Sequence, residues 1–262
     1  MREYRTQGSV RGQSGNWLSY LVTRKKYMNP TVSNTLFHFT GIDCDRGVFK
    51  PKEEALNTLK SILGSQHFLL SNNNREWTIF DVKEPVRHMN FDLPMLCFTE
   101  TPIEFIGMHM GVFGHFGVGM KIEWAIKNHA QNVIYCDRSE PNYYGRILAG
   151  VLDFIHHNLA TDQNTQAKWY WFRSLVGVTE DIRFRNEREW RFIGRTENKP
   201  GGGDSFTPTH VDFNINDIEV VVCPEDCIPA VHEFLKGIPS YSQYTFNVIS
   251  SEELLKNLET EG

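Results

Sequence analysis

Two periods of hydrophobic and polar residues alternate along this chain. Helical spacing appears first within "KPKEEALNTLKSILGSQ", where Leu56, Leu59, Ile62 and Leu63 share one face. Pro51 near the start, Glu53 and Glu54 at the positive end of the helix dipole, and Gly64 at the C-cap position predict the limits of this helix. The same spacing returns at Ile147, Leu148, Val151, Leu152, Ile155 and Leu159, and another helix is predicted for "AKWYWFRSLVG". Short apolar or alternating runs predict strands at "NTLFHFTG", "HFLLS", "MLCFTE", "GHFGVGMKIEW", "NVIYCD" and "EWRFIG". "SNNN" predicts a turn and "KPGGGDS" a hairpin-like loop. The C-terminal part reads strand "IEVVVC", helix "PAVHEFLKG", strand "YTFNVIS", helix "SEELLKNLE", with Ser250 and Glu253 as a capping box. This order predicts an α+β fold with strands dominating the middle. Residues 1–30 read as a polar N-terminal arm and 31–262 as a single domain.

Composition narrows the class. The chain has 262 residues, 40% of them hydrophobic and 13% aromatic, enough for a sizeable core. The net charge of −5 argues against broad non-specific nucleic-acid binding, though it leaves room for a local basic groove. No apolar run approaches the roughly 18 residues of a membrane span, and the first residues lack the apolar stretch of a signal peptide. Five irregularly spaced cysteines read as reduced thiols of a cytoplasmic protein. Cys223 and Cys227 form a lone pair with no second pair to complete a zinc site.

Two segments carry candidate chemistry. In "LFHFT", His38 and Thr40 lie two apart on a predicted strand and so share a face. Such a pair is either a satisfied core histidine with its neighbour or a clamp for a ligand's hydroxyls or amide. In "FRNEREWRFIG", residues 184–194, a strand starting near Glu187 places Glu187 and Glu189 on one face, with Arg188 and Trp190 on the other. That arrangement is either a charge-blunted edge or a carboxylate pair projecting into a cleft. The glycines of "FGHFGVGM" precede a strand, so they are not a dinucleotide fingerprint. His109 and His115 lack a converging third ligand in the sequence. A metal-dependent nuclease using Glu100, Glu187 and Glu189 ranks last, because no lysine stands at a familiar spacing.

The segments "LFHFTG", "LKSIL", "MLCFTETP", "GHFGVGMKIEWAIKN", "NVIYC", "NEREWRFI" and "FNINDIEVVVCPED" resemble, in this order, the AbiGi-like abortive phage resistance family. The likeness runs over roughly residues 36 to 227. "LFHFT" followed by "LKSIL" also resembles, more distantly, the opening of DarT-type ADP-ribosyltransferases. That second resemblance implies an ADP-ribosyltransferase-like split β-sheet with flanking helices and an NAD-dependent toxin of phage defence. The acceptor would be RNA, DNA or protein. It also implies His38 and Thr40 as the NAD clamp, with Ser71 and Arg75 of "SNNNREW" nearby. Glu189 would stabilise the oxocarbenium charge and Glu187 would orient the acceptor. The AbiGi family carries an antitoxin label, which implies the other class: a non-enzymatic antitoxin or partner-binding component with a cognate toxin.

Overall fold

The computed structural model describes residues 33–43, 47–79, 87–136, 150–151, 174–194, 196–198, 204–206, 210–242 and 244–260. The N-terminal arm lies outside these residues. So does the predicted helix at 147–159, apart from 150–151, which are helical. The described residues fall into two compact units, each assembled from separated stretches of chain. A flanking unit draws on residues up to 68, 98–129 and 210–262, and a middle unit on 69–97 and 130–209.

The flanking unit is built on a mixed sheet. Strand Thr35–Phe39 runs antiparallel to Gly117–Lys121, from Thr35 opposite Lys121 to Phe39 opposite Gly117, and Phe37 also stands opposite Thr99. On the other side of Gly117–Lys121 lies Ile218–Cys223, antiparallel to it and parallel to Asn247–Ser250. A parallel pair needs a crossover, and helix Ile228–Lys236 supplies it. Val118, Met120, Val221 and Val222 are fully buried, as expected of central strands covered on both faces.

Helix Lys52–Ser65 turns Ala55, Leu59 and Leu63 inward. Its predicted C-cap is displaced: Gln66, not Gly64, takes the left-handed conformation (φ 53°) and donates its N–H to the Ile62 carbonyl. The predicted strand "GHFGVGMKIEW" divides at Lys121, and Ile122–Lys127 is a short helix. Glu123 in its first turn and Lys127 in its last suit the helix dipole. Trp124 is buried, and its indole N–H reaches the Asp212 carbonyl at 3.0 Å.

Three glycines have steric reasons. The backbones of Gly41 and Gly114 pass so closely that a Cβ on Gly41 would sit 2.8 Å from the Gly114 Cα, and Gly114 has φ +89°. A Cβ on Gly119 would lie 2.6 Å from Val220 Cγ1 and 2.9 Å from Thr35 Cγ2. The glycine punctuation of "FGHFGVGM" is therefore a packing requirement.

The last helix, Ser251–Thr260, is capped by Ser250 as the sequence suggests, but the Glu253 half of the predicted box is not seen among the described residues. Ser250 Oγ accepts the N–H of Glu252 (3.2 Å) and of Glu253 (3.3 Å). A separate cluster forms at Glu252, whose Oε2 accepts from the Glu225 N–H and from the hydroxyls of Ser250 and Ser251. Burial raises the affinity of this carboxyl for its proton. The donors to its charged form outweigh that effect and hold its pKa below the ordinary glutamate value.

The middle unit departs most from expectation. "SNNN" is not a turn: Ser71–Ile79 is a nine-residue strand, paired antiparallel with Arg87–Thr99 from Ser71 opposite Met95 to Ile79 opposite Arg87. A continuous ladder overrides the local turn preference of serine and asparagine. Glu189–Ile193 pairs antiparallel with Gln131–Asn132, and Thr179–Asp181 pairs parallel with Ile134–Cys136. Thr196–Asn198 and Asp204–Phe206 pair antiparallel, so "KPGGGDS", most of it outside the described residues, does connect a hairpin. Among the described residues the α+β class holds, and strands dominate the middle unit.

Two outcomes are expected. Gly119→Ala should cost about 1–3 kcal/mol by overpacking, read from urea unfolding midpoints. Glu252→Gln should be less stable than wild type at neutral pH. Because the folded pKa is depressed, the wild-type advantage is complete above the unfolded glutamate value and shrinks as pH falls through the folded one. Denaturation curves between neutral and acid pH read the difference, and a constant gap would assign the effect to shape rather than charge.

Candidate functional site

The charged segment "EREWR" sits in the middle unit, where strand Glu189–Ile193 has its first four residues buried. Glu189 and Arg191, two apart, share a strand face. Arg191 is fully buried, a costly placement for an obligatory cation. Its donors are correspondingly engaged. Nε gives a 2.8 Å bond to Glu189 Oε1, and Nη2 a 2.5 Å bond to Glu189 Oε2. Nη2 also reaches Glu180 Oε2 at 3.0 Å, and Nη1 the Gly177 carbonyl at 2.7 Å. Glu189 thus meets the guanidinium through both oxygens, in the forked geometry that makes arginine–carboxylate pairs strong. Burial opposes the guanidinium charge, but Glu189, aided by Glu180, outweighs it and holds the group well above the usual arginine value.

Two further contacts set the frame. The Glu189 backbone N–H donates to the Tyr135 hydroxyl at 2.7 Å. Burial, reinforced by the negative charge of Glu189, pushes the Tyr135 phenol far above its normal range, so it stays protonated. The other oxygen of Glu180, Oε1, accepts the Asp181 N–H at 3.0 Å. The Asp181 carboxylate in turn accepts from the backbone and side chain of Arg183. Strand Thr179–Asp181, wholly buried, therefore presents acids to Arg191 and to Arg183.

Glu187 does not share a strand face with Glu189. It ends a 3₁₀ helix, Ile182–Glu187, and the next residue, Arg188, has φ 46°. That left-handed step breaks the two-residue period on which the paired arrangement depends.

The other sequence candidates are placed as follows. His38, in the flanking unit, is half-buried among aromatic rings, edge-on to Phe68 (5.3 Å between centroids) and tilted against Phe98 (5.5 Å). Thr40 lies just past the end of its strand, buried, with its N–H on the Phe116 carbonyl at 2.8 Å. In the middle unit, Ser71 opens its strand and donates to the Met95 carbonyl, while Arg75 stands opposite Phe91. No group of three metal-ligating side chains converges among the described residues.

Sequence reasoning missed Glu180 and the buried chain Thr99–Thr101–His109. In that chain the two hydroxyls lie 2.9 Å apart and Thr101 Oγ1 is 2.8 Å from His109 Nε2. The available signal for Glu180 was "TED" directly after the apolar "LVGV", an acidic step inside a buried stretch. A buried acid requires a partner, and a nearby arginine was the candidate.

The family model described as "Putative abortive phage resistance protein AbiGi, antitoxin" matches residues 68–216, more than half of the chain. The chain belongs to the AbiGi family. The matched region contains Tyr135, Glu180, Glu189 and Arg191; His38 and Thr40 precede it. Neither a curated protein nor a solved structure matches the chain.

The AbiGi match overturns the expected function. The NAD-dependent ADP-ribosyltransferase toxin rested on a short likeness in "LFHFT" and on reading Glu189 as a poised catalytic carboxylate. The family's description names an antitoxin, and the DarT likeness gains no support from any comparison. The physical source of the misreading is plain: alternating acid and base before an apolar strand also describes an arginine clasp.

Arg191→Met should cost about 3–5 kcal/mol, because it leaves Glu180 and Glu189 buried without their counter-charge. Adding Glu180→Gln and Glu189→Gln should recover much of the loss. Chemical denaturation of the single and triple variants reads both values.

Proposed function

We propose that this AbiGi protein is a non-enzymatic antitoxin that restrains a cognate toxin by binding it. The family match carries the antitoxin role. The geometry supports binding without turnover: both oxygens of Glu189, the carboxylate best placed by sequence for chemistry, are bonded to a buried arginine. A carboxylate held in this way builds the unit rather than meeting a substrate.

The test is growth of cells expressing the product of the adjacent reading frame, with and without this chain. The expected result is arrest by the neighbour alone, restored growth with both, and co-elution of the two proteins on size exclusion. Restored growth should persist in Glu189→Gln wherever that variant remains folded. Arrest by this chain alone, relieved by its neighbour, would reverse the assignment.

A further inference from the structure

We draw no further inference here: the strongest candidate, the pair of imidazoles that His67 and His210 place 5.0 Å apart on the paired strands His67–Leu69 and His210–Asp212, carries nothing because no group of three metal-ligating side chains forms around it among the described residues.

Discussion

A fully buried guanidinium between two carboxylates governs the middle unit. Moving an ion of this size from water to a dry interior costs of order 20 kcal/mol in the idealised limit, and several kcal/mol after relaxation. Such a group persists only where its geometry is nearly complete. Arg191 reaches that state by drawing on three stretches: Glu189 on its own strand, Glu180 on strand Thr179–Asp181, and the carbonyl of Gly177. Each partner must arrive for the others to be worth their desolvation. The clasp therefore acts less as a source of net stability than as a condition on register. A slip of one residue in Glu189–Ile193 would turn Glu189 and Arg191 together to the opposite face and leave Glu180 buried without its counter-charge.

This condition explains the most conspicuous pattern in the sequence. "EREWR" places acid and base two apart because a strand face repeats every second residue, and both ends of a local ion pair must lie on that face. Tyr135 adds a neutral constraint: its hydroxyl, kept protonated by burial and by Glu189, holds the backbone at the first residue of the strand. Buried carboxylates with strong partners arise in catalytic sites and in structural clasps alike. Glu189 is held in such a clasp, with one hydrogen bond from Arg191 to each of its oxygens.

Much of the architecture was readable from periodicity. The C-terminal alternation of strand and helix, the helix beginning at Lys52 and the strand at Thr35 all appear where apolar spacing placed them, because each buries one clear face. The failures share a cause. "SNNN" carries strong turn preferences, yet nine cross-strand positions outweigh them, and pairing partners are invisible to local reading. The end of the first helix moved from Gly64 to Gln66 because the left-handed cap can be borne by a polar residue when the chain must turn there. The site was legible in part. Glu189 was singled out from the sequence, and its observed contact is Arg191. Glu180 was not seen, since eleven residues and a 3₁₀ helix separate it from Arg191 in the chain. Glu187 was misplaced because one left-handed residue, Arg188, resets the period without any mark in composition.

The strand order of the flanking unit also fixes a timetable for the ribosome. Strands Thr35–Phe39 and Gly117–Lys121 emerge early and can pair at once, but the other neighbour of Gly117–Lys121 is Ile218–Cys223, about a hundred residues later. Until that stretch is synthesised, one long edge of a buried strand has no partner, and non-local pairings of this kind are slow to form. Asn247–Ser250 comes later still and pairs only with Ile218–Cys223 within this sheet. The nascent chain consequently carries an open β edge over the roughly one hundred residues between these two strands. The lag between translation and a finished flanking unit is set by the arrival of its last two strands.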